Sequence, residues 1–291
     1  MSALSGIIDV HQHLIYPERY NYPWTSGIPK LVGRSLRYEE YLRAAEGCGI
    51  GSTVFMESGV AEPADQDESG FISSLSTESA CPILALIATC RPEREGFERF
   101  VDELDRSAVV GLRRILHVED DGLSRTDRFR ENIRLLGTRG LTFDLCFQAR
   151  QLPLAVELAV ACPDVSFVLD HCGVPDVASA ESEPWRTDIA ALADLPNVAC
   201  KISGVLAYCD PAHADRAAVT PYVEHCIETF GWDRVVWGSD WPLVEINSSL
   251  SDWVTITREI VEGESADKQR KLFTENAQRI YGLKSREAEH V

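Results

Sequence analysis

A single α/β domain closed as a (β/α)8 TIM-type barrel is the fold this sequence predicts, on three observations. Short apolar runs rich in β-formers recur eight times, stretches of 3.6-residue periodicity lie between them, and no Gly-x-Gly-x-x-Gly follows the first run. Strands alternating with helices require a parallel sheet, because a parallel pair cannot be joined by a tight turn. A doubly wound sheet would usually carry the glycine-rich phosphate loop, whereas eight βα units in 291 residues close most simply into a ring.

Strands are expected near 6–11, 52–57, 83–88, 109–115, 141–147, 165–170, 198–203 and 234–238. Between them, helical spacing links Tyr38, Tyr41, Leu42 and Ala45, then Phe97, Phe100, Val101 and Leu104, then Phe129, Ile133 and Leu136. It continues through Leu154, Leu158 and Ala161, through Trp185, Ile189 and Leu192, and through Val219, Val223, Cys226, Ile227 and Phe230. Pro153, Pro184 and Pro221 stand where first helical turns should begin, and Gly47, Gly137 and Gly231 where helices should stop. Residues 14–35, with Tyr16, Tyr20, Tyr22, Pro23 and Trp24, form a long first loop able to fold over the barrel mouth. Leu250, Trp253, Val254, Thr257 and Val261 make an eighth helix; Phe273, Ala277, Ile280 and Tyr281 make a final one capped by Gly282. One domain is expected over 1–291, with a frayed tail at 285–291.

A composition 45% hydrophobic and 25% charged suits a globular protein with a sizeable core. The net charge of −18 and the lack of a basic run argue against a nucleic-acid surface. No apolar run approaches a membrane span, and Met1-Ser2-Ala3-Leu4-Ser5 lacks the regions of a signal peptide, so a cytoplasmic location is expected. Nine cysteines, no two closer than nine positions, read as reduced thiols placed mostly in the core. Oligomeric state leaves no signal.

The chemistry begins at Asp9-Val10-His11-Gln12-His13, which follows the apolar Ile7-Ile8. In a strand, positions i and i+2 share a face, so Asp9, His11 and His13 should point one way, with the imidazoles roughly 7 Å apart along the backbone. Such a pair suits one metal ion, neutral imidazole being a preferred zinc ligand. Barrel chemistry gathers at the carboxyl ends of the strands. There stand Glu57, Arg113, Arg114, His117, Gln148, Asp170-His171, Lys201 and Asp240. Singly, each has an ordinary alternative: Glu57 a solvated strand end, Arg114 an ion-pair partner, His117 a loop residue, Lys201 a snorkelling side chain.

The coincidence of His11, His13, His171 and Asp240 is harder to dismiss, since together they can converge above the barrel axis as ligands of one divalent ion with room for water. Asp240 would accept the water's proton, and Arg113 or Arg114 would fork donors onto a carbonyl or carboxylate oxygen. Each donor aimed at an incipient oxyanion could contribute on the order of 3 kcal/mol. That pattern is one of ester, lactone or amide hydrolysis. The lysines are Lys30, Lys201, Lys268, Lys271 and Lys284, so none from the fourth or fifth strand can bridge two metals; one metal or none is expected.

Blocks along the chain resemble the sugar-lactonase branch of the amidohydrolase superfamily, which contains L-fuconolactonase and L-rhamnonolactonase. They are Ile8-Asp9-Val10-His11-Gln12-His13 with Tyr22-Pro23-Trp24, Gly111-Leu112-Arg113-Arg114-Ile115-Leu116-His117, and Leu169-Asp170-His171-Cys172-Gly173-Val174-Pro175. Cys200-Lys201-Ile202-Ser203-Gly204, Trp237-Gly238-Ser239-Asp240-Trp241-Pro242 and Glu275-Asn276-Ala277-Gln278-Arg279-Ile280-Tyr281-Gly282-Leu283 complete the series. The resemblance implies a distorted (β/α)8 barrel and lactone hydrolysis, with His11, His13, His171 and Asp240 at the reaction centre. It also implies that Trp24, Arg113, Arg114, His117, Gln148 and Lys201 face the substrate, to which the strand-end position adds Glu57. Metal use varies within the family: some members resemble zinc enzymes, and the pyrone dicarboxylate lactonase works without metal. The wider superfamily usually has a histidine on the fifth strand, but Thr142-Phe143-Asp144-Leu145-Cys146-Phe147-Gln148 has none, which favours a mononuclear or metal-free site.

The leading expectation is therefore a lactonase for a small sugar-acid lactone, with Asp240 and His171 catalytic and one divalent ion, zinc in the first instance. The alternatives are a metal-dependent decarboxylase of an aromatic or muconate-type acid, and a barrel retained as a binding or sensory protein. Neither nucleic acid nor membrane is an expected partner.

Overall fold

The computed structural model describes residues 6–75 and 82–283, so Cys81 and the tail expected to fray lie outside the described residues. Eight parallel strands run in sequence order as one sheet: β1 Ile7–Gln12, β2 Ile50–Met56, β3 Ile83–Thr89, β4 Val109–Ile115, β5 Thr142–Cys146, β6 Ser166–Leu169, β7 Val198–Ile202 and β8 Val235–Trp237. The sheet curls until its edges meet beyond the short β8. There Asp240 N donates to His11 O at 2.8 Å and His13 N to Trp241 O at 2.7 Å. The barrel is thus nearly closed, and the seam lies at the residues of greatest chemical interest.

The helices are α1 Tyr38–Ala45, α2 Glu68–Leu75, α3 Phe97–Asp102, α4 Asp127–Arg139, α5 Leu152–Ala161, α6 Trp185–Ala193, α7 Arg216–Phe230, α8 Leu250–Ile260, α9 Ala266–Arg270 and α10 Asn276–Ile280. A π-helical turn, Lys271–Glu275, joins the last two. Strand alternation sorts the core into two shells. Phe55, Leu112, Phe143, Leu145, Phe167, Ile202 and Trp237 face the helices and meet Tyr41, Phe129, Leu158, Val223 and Trp253. Ile8, Val10, Val54, Met56, Ile87, Val168 and Val236 fill the barrel interior, joined there by Ala277 and Tyr281 from the C-terminal segment. Burying each such large side chain contributes about 1.5–3 kcal/mol.

Two boundary expectations are corrected. Pro221 does not open a helix: α7 starts five residues earlier, where the Asp215 carboxylate accepts from Ala218 N at 3.0 Å. Gly137 lies inside α4, which runs on to Gly140; a Cβ at Gly137 would sit 2.6 Å from Asp164 O, so glycine is there for close packing. Helix α2 is absent from the sequence reading, because Gly70, Ser73 and Ser74 interrupt its apolar period.

Candidate active site

The first surprise lies in β1. Asp9 pairs with Thr53 and Gln12 with Phe55, so three steps on β1 oppose two on β2 and a bulge breaks the alternation. Asp9 therefore does not share a face with the histidines. Its carboxylate accepts from Tyr41 Oη at 2.8 Å, Ser239 N at 2.8 Å and Ser239 Oγ at 2.6 Å, on the helix side. Burial pushes it up to about 6 against those hydrogen bonds. Asp9 fastens the barrel seam, while the bulge turns His11 inward.

His11 Nε2 and His13 Nε2 stand 3.1 Å apart, and Asp240 Oδ1 is 3.6 and 3.5 Å from them. His13 Nδ1 faces two carbonyl oxygens, Met56 at 3.1 Å and Glu57 at 3.0 Å, so that nitrogen donates and Nε2 presents its lone pair. His11 is seated from below by Lys201, whose Nζ lies 2.7 Å from Asp144 Oδ1, 2.8 Å from Asp170 Oδ1 and 3.0 Å from His11 Nδ1. Three ammonium donors meet three acceptors. His11 Nδ1 also lies 3.4 Å from Asp170 Oδ1, a second partner that lets the ring change tautomer and free Nε2. His171 closes the group, its Nδ1 3.0 Å from Ser203 Oγ and 3.8 Å from Asp240 Oδ2.

Burial is the main reason the three imidazoles stay neutral: His13 falls to about 3, His11 goes well below its ordinary value, and His171 is lowered too. Burial raises Asp240 to about 6 against the pull of His171 and Arg113. Asp170 goes the other way, since burial is outweighed by Lys201 and His11. Lys201 and Arg113 keep their charge despite burial, held by Asp144 and Asp170 and by Glu57 respectively.

A cation fits this set on one observation above the others. Asp240 is 1% exposed, yet neither carboxylate oxygen has a hydrogen-bond partner, a costly arrangement for a buried acid unless a positive centre faces it. His11, His13 and Asp240 form one compact donor triplet; His11, Asp170 and His171 form a second that shares His11. Two histidines with a carboxylate are a known ligand set for catalytic zinc.

The backbone is bent to aim these groups. His171, Cys172 and Asp240 have φ of 52, 52 and 57°, in the left-handed region that costs roughly 1–2 kcal/mol per residue. Gly204 leaves the space they need. A Cβ there would lie 2.5 Å from His171 Nδ1 and 3.0 Å from Asp240 Oδ2.

Above the group opens a cavity of about 570 Å³ lined by His13, Glu57, Arg113, Arg114, His117, Gln148, Asp170, His171 and Asp240, with Trp24 and Ile28 from the first loop. Trp24 Nε1 donates to Ser58 O at 2.8 Å, which holds the loop against the mouth. Of the residues expected to face substrate, all but Lys201 line this space. Lys201, 0% exposed, lies under the floor with His11. The arginines are already engaged: Arg113 Nε meets Glu57 Oε1 at 2.7 Å, and Arg114 meets Glu93 Oε1 at 2.8 Å and Glu119 Oε1 at 3.0 Å.

Sequence reasoning passed over Asp144, Cys146, Ser203, Tyr208 and Glu68. Asp144 had a signal, a charge in the middle of an apolar strand. Cys146 and Tyr208 line the cavity, and His117 Nδ1 is 3.2 Å from Cys146 Sγ. Buried Glu68 accepts from Ser58 N at 3.1 Å; nothing in its helix marked it.

The family profile described as Amidohydrolase matches residues 8–283. The chain belongs to the amidohydrolase family. This amidohydrolase is 26% identical to an L-fucono-1,5-lactonase of Burkholderia multivorans over 95% of its own length and 96% of the relative's. It is 30% identical to a 2-pyrone-4,6-dicarboxylate hydrolase of Comamonas testosteroni over 46% and 47% of the two chains. Among solved structures, an amidohydrolase from Burkholderia multivorans with bound zinc superposes with a TM-score of 0.87 at 24% identity, covering 96% of this chain and 99% of that one, which shows a shared fold. As a family member the protein is a hydrolase.

Proposed function

We propose that the chain opens a neutral lactone of a sugar acid by attack of water on the lactone carbonyl carbon with Asp240 as the base, with one divalent ion, zinc in the first instance, held by His11, His13 and Asp240 beside His171. The observation that carries this reading is Asp240 itself: a buried carboxylate without a hydrogen-bond partner, at the floor of an open cavity and beside neutral imidazoles. The lactonase relative supports the reaction class. Bound there, the ion would supply Lewis acidity to water and carbonyl. Asp240 takes the water's proton as the new carbon–oxygen bond forms and returns it to the ring oxygen as the ester bond breaks, so the product is the hydroxy acid. Arg113, fixed by Glu57, places its guanidinium beside the donor group, with Nη1 3.4 Å from His11 Nε2.

Charge supports a neutral substrate. The arginines lining the cavity are Arg91, Arg113 and Arg114, and each is already paired with carboxylates, Arg91 through Asp65 at 2.9 Å. A dianionic substrate would find no unengaged guanidinium among the described residues that line the cavity. Trp24 offers a flat apolar face suited to the carbon–hydrogen side of a sugar ring. We assign Trp24, Glu57, Arg114, His117 and Gln148 to substrate contact or its support, and Lys201 to seating His11.

A panel of sugar lactones and one dicarboxylate lactone, assayed with a pH indicator with and without chelator, tests this. Acid release from a neutral lactone, lost with chelator and restored by zinc, is expected. Turnover confined to the dicarboxylate overturns the neutral-substrate assignment, carbon dioxide release without ring opening replaces it with decarboxylation, and binding without turnover makes the barrel a binding protein.

A further inference from the structure

Three cysteines remote in sequence meet behind the site, in the layer between sheet and helices. Cys172 lies in the turn after β6, Cys200 on β7 and Cys226 on α7. Their Sγ atoms lie within 4.8 Å of one another, and all three side chains are 0% exposed. Lys201 O accepts from Cys172 Sγ at 3.7 Å and Cys200 Sγ at 4.0 Å. None of the three takes part in the proposed reaction.

We propose that this triad is a binding site for a trivalent thiophilic oxyacid, with arsenite as the probe. Three sulfurs sharing one centre through bonds of about 2.3 Å stand roughly 3.5–4 Å apart, so small side-chain rotations close the observed spacing. Charge decides which centre fits. In a fully buried place an uncompensated charge costs several kcal/mol. Three thiolates around divalent zinc leave one negative charge, and around monovalent copper two. Around trivalent arsenic they leave none. The step is a condensation: three arsenic–oxygen bonds break, three arsenic–sulfur bonds form, and each thiol proton leaves with a hydroxyl as water. Nothing is oxidised or reduced, and no charge enters the core.

The test incubates the folded protein with arsenite, removes the excess and reads the bound mass by native mass spectrometry. One arsenic per chain, heavier by arsenic less three hydrogens, is expected for the wild type. Cys226→Ala, which changes the helix-borne thiol, should retain at least tenfold less while its circular dichroism stays unchanged. Should that variant not fold, Cys200→Ser carries the same comparison, with Cys48→Ala as the control that leaves retention intact. Equal retention in wild type and triad variants, or none in the wild type, overturns the proposal.

Discussion

Asp240 bears two conflicting demands, and they separate on substitution. As the proposed base it needs its negative charge, so Asp240→Asn should lower kcat by at least about 100-fold. As a buried acid without hydrogen bonds it costs stability, so in metal-free protein the same change should leave the melting temperature equal or higher. A calorimetric scan beside the lactone assay checks both. Glu68 gives a prediction about pH. Burial, then the charge of Glu57, holds its carboxyl well above the ordinary value. A raised folded pKa means that the stability it contributes is fully present below the unfolded value and is lost as pH rises through the folded one. Glu68→Gln keeps an oxygen for Ser58 N and removes that loss. Urea melts should show the variant gaining on the wild type between pH 5 and pH 8; a constant difference would refute the assignment.

At the scale of elements, Gly204 is the tightest point. Gly204→Ala places a methyl against His171 and Asp240 at φ +70°, so it should cost at least about 1 kcal/mol and lower kcat more than it raises KM. Trp24→Ala, on the loop over the mouth, should do the reverse, raising KM severalfold with kcat little changed. The strands were legible because each is a short apolar run between turn residues, and the polar groups because they stand at strand ends. The bulge in β1 was not. An extra residue leaves no mark in Asp9-Val10-His11-Gln12-His13, so strict alternation put Asp9 with the histidines, when its hydroxyl partners lie on Tyr41 and Ser239. Pro221 and Gly137 were read by local habit, but capping by Asp215 and packing against Asp164 decided those positions. Lys201 looked like a substrate residue because a strand's end and its interior look alike in one dimension.

Across the whole molecule, a hydrogen-bonded column runs along the barrel. Tyr281 Oη, from the segment that fills the lower interior, donates to Asp144 Oδ1 at 3.0 Å, Lys201 bridges Asp144 to Asp170, and Lys201 meets His11. Tyr281→Phe removes one buried bond to a charged acceptor and should cost about 1.5–3 kcal/mol in a denaturant melt. Zinc at about 100 times its dissociation constant should stabilise the wild type by about 2.7 kcal/mol, and His13→Ala much less. The column also offers a listening post at the blind end of the cylinder. A fluorinated tyrosine at 281 lies outside the cavity lining yet only three hydrogen bonds from His11, through Asp144 and Lys201, so its nuclear resonance should register the arrival of zinc without any label intruding where substrate enters.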